Sequence, residues 1–159
     1  MGQRLGKFGL ELSENKTRVI PFSQQQALGK TSFDFLGFEF RWGKDRAGKP
    51  HLKRRTARKR LRDSLKRFTE WCKGKCRCSQ KDLFRELNAK LRGYYNYYGV
   101  NGNDGSLNQF FSSAMRILFK WLNRRSYNWT GFRELLQHYQ VEWPRIVGRP
   151  KTRRAALGA

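Results

Sequence analysis

Apolar and polar residues alternate along the first third of the chain and recur with a helical period after it. Phe33, Phe35, Phe38, Phe40 and Trp42 follow the two-residue repeat of a strand, with a change of phase at Leu36-Gly37. Such a change predicts a bulge or a close approach of backbone. Thr17 to Phe22 is a shorter β-prone run. GKDRAGKP (43–50), with two Gly and a Pro, reads as a turn. His51 stands in that turn, and a short return strand from His51 to Lys53 completes a hairpin.

From Thr56 the period becomes helical. Ala57, Leu61, Leu65, Phe68 and Cys72 share one face of a first helix. A second helix opens at Ser79, where Asp82 supplies the far end of a capping box. Its stripe is Leu83, Phe84, Leu87, Leu91, Tyr94, Tyr95 and Tyr98, and Gly99 is a fitting stop. A third helix starts near Ser106 and carries Leu107, Phe110, Phe111, Ala114, Leu118, Trp121 and Leu122. A shorter fourth, from Thr130 to Tyr139, buries Phe132, Leu135, Leu136 and Tyr139. Pro144 forbids its continuation. No internal repeat is present.

The pattern predicts an α+β chain that is mainly α. A β segment over 1–52 precedes a bundle of three or four helices over 53–144, and a basic, loose tail covers 145–159. The helices carry enough large aromatic residues for a core of their own. Two or three strands are marginal without something to cover them.

Charge changes this picture from a fold to a function. The 159 residues hold 35 Lys and Arg against 12 Asp and Glu, a formal net charge of +23. Self-repulsion on that scale opposes compaction and calls for a polyanion, with nucleic acid the obvious one. Aromatic residues at 14% argue against a disordered basic tail. No segment has the run of apolar residues that a membrane span needs, and the N-terminus lacks the apolar core of a signal peptide. The chain therefore reads as cytoplasmic, with no membrane partner and no small-molecule substrate.

Cys72, Cys76 and Cys78 cluster in WCKGKCRCSQ (71–80), but their spacing matches no usual zinc pattern. They are read as incidental thiols in a turn, and no metal or cofactor is expected. His51 and His138 are read as ordinary. No carboxylate pair, Ser/His/Asp set or Gly-rich phosphate loop is placed for catalysis, so no catalytic residue is assigned.

The sharpest constellation is KRRTARKRLRDSLKR (53–67), nine cations with one acid, Asp63. Read as a helix, it packs an apolar stripe on the bundle and leaves Arg54, Arg55, Arg58, Lys59, Arg62 and Lys66 to meet RNA phosphates, with Lys53 at the end of the return strand as a further candidate contact. A solvated face would mix charge signs. LRGYYNYYG (91–99) is the second constellation. Tyr94, Tyr95 and Tyr98 are read as core, each hydroxyl with a partner, while Arg92 and Tyr97 are candidate RNA contacts. Arg124 and Arg125, in KWLNRRS (120–126), complete the candidate set.

Taken in order, LELSENKTRVIPF (10–22), FDFLGFEF (33–40), the basic helix, LNAKLRGYYNYYG (87–99) and KWLNRRS (120–126) resemble the C-terminal part of group II intron reverse transcriptase/maturases. The resemblance spans about residues 5 to 148. It implies a late-palm segment, a primer-grip hairpin and a thumb, also called the X or maturase domain. Lys16 matches a late-palm lysine, and Phe35, Leu36 and Gly37 match the grip. Arg54, Arg55, Arg58 and Lys59 match the start of the basic thumb helix. Arg92, Gly93, Tyr94, Asn96 and Tyr97 match the second-helix motif. The family binds its own intron RNA and stabilises the active fold, while the RNA does the splicing chemistry. The fingers, the Tyr-x-Asp-Asp loop and the zinc-bearing endonuclease domain have no counterpart here. Met1 heading a truncated palm is what a split or degenerate maturase frame would give, and an engineered fragment would give it too.

Three readings follow. The first is a non-catalytic protein that grips a structured, group II intron-like RNA. The second is the C-terminal subunit of a split reverse transcriptase, completed by a second fragment. The third, a general basic RNA chaperone, accounts for the charge but not for the order of the motifs.

Overall fold

The structure, a computed structural model, describes residues 8–9, 22, 32–45, 47–75, 78–124 and 131–146. Lys16, Cys76, Arg125, Thr17 to Pro21 and the tail from 147 onward lie outside the described residues. Three strands are followed by four helices, a mainly α arrangement with a small β part. The strands are β1 (Ser32–Phe35), β2 (Phe38–Lys44) and β3 (Pro50–Thr56), in sheet order β1-β2-β3. The helices are α1 (Arg58–Gly74), α2 (Gln80–Tyr98), α3 (Asp104–Asn123) and α4 (Phe132–His138). The described residues fall into two compact units. One holds Arg41–Leu52 with Phe22 and Phe33; the other, the helical unit, holds Asp34–Phe40 and the chain from Lys53 onward.

In the first unit, Phe22 packs edge-on against Phe33 at 4.7 Å and stacks with Trp42 at 5.6 Å. The turn before β3 is closed by Asp45, which accepts from the Lys49 N–H through its carboxylate at 2.8 Å. Gly48 takes the positive φ of +78° that this turn demands.

The phase change at Leu36-Gly37 is a tight turn rather than a bulge. Both residues have positive φ, +49° and +80°, which is the signature of a two-residue type I′ hairpin joining β1 to β2. The expected close approach is also present. A Cβ on Gly37 would lie 3.1 Å from the Tyr98 hydroxyl. Leu36 is strained in this conformation, by about 1 kcal/mol or more. Distant bonds hold the strained pair: the Tyr97 hydroxyl donates to the Leu36 carbonyl at 2.8 Å, and the Ala57 N–H donates to the Gly37 carbonyl at 2.9 Å.

Strand β3 runs further than the His51 to Lys53 segment expected. It takes His51 out of the turn, and Arg54 and Arg55 off the first helix. Arg55 pairs across to Glu39 on β2, and the Thr56 N–H donates to the side chain of Asn103 at 2.8 Å. Both partners are remote in sequence, so the local pattern could not reveal them.

The helical core is built from the expected stripes. Leu61, Phe68 and Cys72 of α1 are buried, as are Leu83, Phe84, Leu87, Leu91 and Tyr95 of α2. From α3 come Leu107, Phe110, Phe111, Ala114, Leu118 and Leu122, joined by Met115, which the expected stripe lacked, while Trp121 is only partly buried. Complete burial of a side chain such as Leu87 or Leu91 contributes roughly 1.5–3 kcal/mol. Ser79 caps α2: its hydroxyl accepts from the Asp82 N–H at 3.2 Å and donates to the Asp82 carboxylate at 2.7 Å. Gly99 ends α2 for a steric reason rather than a left-handed one. A Cβ there would fall on the Tyr95 carbonyl and 2.7 Å from the Arg145 carbonyl.

Two expectations at the C-terminal end need correction. Helix α4 buries none of its residues completely; Phe132, Leu135, Leu136 and Tyr139 are half-buried against the core. Its single short run of seven residues is too small to sink a whole face. Arg145 and Ile146, expected in a loose tail, belong to the packed structure, and Ile146 is buried with Val141.

Candidate nucleic-acid interface

The nine cations of 53–67 divide between two elements and meet different fates. Lys53 is exposed on β3. Arg54 is exposed too, and its Nε donates to the Asn101 carbonyl at 3.2 Å. Arg55 makes a two-pronged bond to Glu39, Nε to Oε2 at 3.0 Å and Nη2 to Oε1 at 2.7 Å. That bond raises the Arg55 pKa, against a smaller opposing effect of burial. With the Glu39 side chain only 13% exposed, the pair is a strut between strands rather than an open phosphate contact.

On α1 the arrangement is different. Arg58, Lys59, Arg60, Arg62, Lys66 and Arg67 are all exposed. Arg58, Arg62 and Lys66 recur every fourth residue and so form one strip with steps of about 6 Å along the axis. Lys59 lies beside it. Arg60 and Arg67 form a second edge, on the Tyr98 side: burial raises the pKa of that hydroxyl, and these two charges oppose the rise more weakly. These two belong to the nine cations of 53–67 but not to the expected site; their seven-residue spacing is the signal in the sequence that places them on one side of the helix. None of the α1 cations forms an ion pair with a described acid.

The remaining candidates are held more tightly. Arg92, exposed on α2, donates to the Glu142 carboxylate at 2.9 Å. Tyr97 is 53% exposed, but its hydroxyl serves the Leu36 carbonyl and its ring stacks with Phe38 at 6.0 Å. Arg124, which follows α3, lies over the Trp121 ring at 4.7 Å. Three tyrosines pack as expected. Tyr95 is fully buried and donates to the Glu142 carbonyl at 3.2 Å; burial first, then the Glu142 charge, pushes its pKa up. Tyr94 stacks on Phe110 at 3.7 Å, and burial likewise raises its pKa. Its hydroxyl lies beside Thr56 without a hydrogen bond of ordinary geometry, contrary to the expectation that each would find a partner. Tyr98 packs against Phe38 at 5.4 Å.

Two asparagines that sequence reasoning missed fix this frame. Asn103 is buried where β3, α2 and α3 meet. It accepts from the Thr56 N–H and donates to the Thr56 hydroxyl at 2.9 Å and the Tyr98 carbonyl at 2.8 Å. Asn88 donates to the Tyr139 and Gln140 carbonyls and accepts from the Glu142 N–H at 2.9 Å. In sequence Asn103 sits in NGN and reads as an ordinary turn residue. Cys72 is a core residue, and among the described residues no group of three or more His, Cys, Asp or Glu could hold a metal ion. Among the same residues no helix is long and apolar enough to cross a membrane.

The fold and the site thus define a small basic domain, a three-helix core with one polycationic helix face. The family model described as group II intron, maturase-specific domain matches residues 58–140, just over half of the chain and nearly all of the helical region. The chain belongs to that family. The comparison with curated proteins found no match.

Proposed function

We propose that this protein binds a structured RNA, group II intron-like in kind, and stabilises its fold without chemistry of its own. The observation that carries the reading is the exposed cationic face of α1, free of ion pairs with described acids. Family membership supplies the RNA class. The absence of chemistry rests on this chain's lack of a Tyr-x-Asp-Asp segment. Binding runs through phosphates and RNA shape and so falls steeply with salt. The test replaces Arg58, Lys59, Arg62 and Lys66 together by Ala and measures affinity for a group II intron RNA across a salt series. Affinity drops about a hundredfold at moderate salt, and the log–log salt slope falls by about three. An unchanged affinity and slope would remove α1 from the interface. Equal competition by bulk transfer RNA would favour a general chaperone instead.

A second reading is supported by Phe35 and Leu36, which stay exposed at the hairpin turn. In it, a second chain carrying a Tyr-x-Asp-Asp segment covers them and completes a reverse transcriptase. Co-purification of such a polypeptide would favour it over the first.

A further inference from the structure

Trp143 is 66% exposed, the most exposed aromatic ring among the described residues of the helical unit. It is also firmly mounted. The neighbouring Glu142 is held at its N–H by Asn88, at its carbonyl by the Tyr95 hydroxyl and at its carboxylate by Arg92. Arg145 approaches the same carboxylate at 4.0 Å. Pro144 stiffens the next position, and Ile146 is buried. The indole rests on the buried ring of Phe111, with centroids 4.8 Å apart. One side of the ring is thus supported, and most of its surface is open to water.

From these observations we infer that Trp143 is a stacking platform for an unpaired RNA base. The inference rests on the RNA-binding reading above and names what a second surface of the same protein takes. Every base offers a π-face, and a rigid aromatic ring receives it with little loss of conformational freedom. The local charge suits RNA: two arginines share one carboxylate beside the ring, leaving a net positive surrounding. Helix α1 has the complementary chemistry, many cations and no fully exposed aromatic ring, since its Trp71 is half-buried. The two surfaces lie on different sides of α3. Phe110 packs against Phe68 of α1, whereas its neighbour Phe111, about 100° around the helix, carries Trp143. Backbone phosphates go to α1 and a flipped or single-stranded base goes to Trp143.

The test uses the full chain with Trp143→Leu, which keeps apolar packing on Phe111 but has no ring face, and Trp143→Phe, which keeps a ring. The probes are a short oligouridylate carrying one fluorescent adenine analogue that is quenched on stacking, and a fully paired duplex of the same length. Trp143→Leu lowers single-strand affinity about tenfold and leaves the analogue bright, while duplex affinity and salt slope stay as in the parent protein. Trp143→Phe stays within about threefold and still quenches. Melting curves confirm that both variants fold. Equal binding of the single strand by Trp143→Leu would overturn the inference, as would equal losses on both probes. So would a parent protein that self-associates through this residue and is made monomeric by Trp143→Leu. Failure of the parent protein to bind the oligouridylate while it binds group II intron RNA would also overturn the inference, whereas failure to bind the intron RNA as well is a different result and would overturn the RNA-binding reading itself.

Discussion

Helices α1 and α2 lie in one core and carry cations in different company. The four on α2 are Lys81, Arg85, Lys90 and Arg92. Arg85 pairs with Asp82 at 2.9 Å, Arg92 pairs with Glu142 at 2.9 Å, and Lys90 sits 5.3 Å over the Trp71 ring. Helix α1 carries Arg58, Lys59, Arg60, Arg62, Lys66, Arg67 and Lys73 along with its own acids, Asp63 and Glu70. None of its cations forms an ion pair with a described acid. A paired cation is partly satisfied within the fold, whereas an unpaired row repels itself until a polyanion arrives. On the RNA-binding reading proposed above, pairing rather than composition distinguishes the two faces, since Arg55 and Arg92 each engage a carboxylate within the fold.

The contrast depends on the joint that seats α1 against the end of α2. Asn103→Ala strikes it by leaving the buried Thr56 N–H without its acceptor, while the Tyr98 carbonyl keeps only the Val100 N–H. We expect a loss of about 3 kcal/mol of stability in denaturant titrations. A loss below about 0.5 kcal/mol would mean that water replaces the amide and that the joint is not held by it.

The next largest effect compares the helices directly. Removing four α1 cations costs RNA affinity about a hundredfold, whereas Arg85→Ala, Lys90→Ala and Arg92→Ala combined cost less than about threefold with the salt slope nearly unchanged. Similar losses from both sets would erase the distinction drawn from pairing.

Glu142→Gln probes the same idea in reverse. It removes the charge that engages Arg92 and Arg145 while the backbone bonds of residue 142 remain. Stability falls by under about 1 kcal/mol, as for other partly exposed pairs. Affinity for RNA rises by about threefold if the freed arginines reach phosphate. A fall in affinity would show that the pair itself shapes the interface.

The smallest effect concerns Glu86, which accepts from Lys75 at 2.7 Å and from the Trp71 N–H at 3.3 Å. The Lys75 bond first, then that from Trp71, holds its carboxyl below the usual range. A lowered folded pKa stabilises the protein above the unfolded value, about 4.3, and the contribution disappears as pH falls through the folded one. Melting temperatures of the parent protein and Glu86→Gln should therefore differ slightly at neutral pH and converge in acid. A gap that widens in acid would contradict the assignment.

Much of this was written locally. The stripes of α1, α2 and α3 follow from a period of three to four residues, which needs no knowledge of neighbours. The Ser79 cap is likewise a short-range feature, and so is the excess of cations over 53–67, whereas the stop at Gly99 is legible in place but owes part of its steric reason to the remote Arg145 carbonyl. The hairpin turn was half legible: the phase change at Leu36-Gly37 was plain, but its tight-turn geometry depends on bonds from Tyr97 and Ala57. Tyr97 reaches Leu36 across 61 residues of sequence.

Tertiary structure decided what each charge does. Arg55 meets Glu39 across two strands, and Arg92 meets Glu142 from 50 residues away. Thr56 meets Asn103 at a separation of 47, which helps carry β3 to Thr56, with α1 beginning two residues later. Sequence by itself determined the mainly helical fold, the apolar faces and the polycationic character, because periodicity and composition are properties of the chain. Which cations remain open, how far β3 runs and why Trp143 is held facing solvent are set by partners that only folding brings within hydrogen-bond or van der Waals reach.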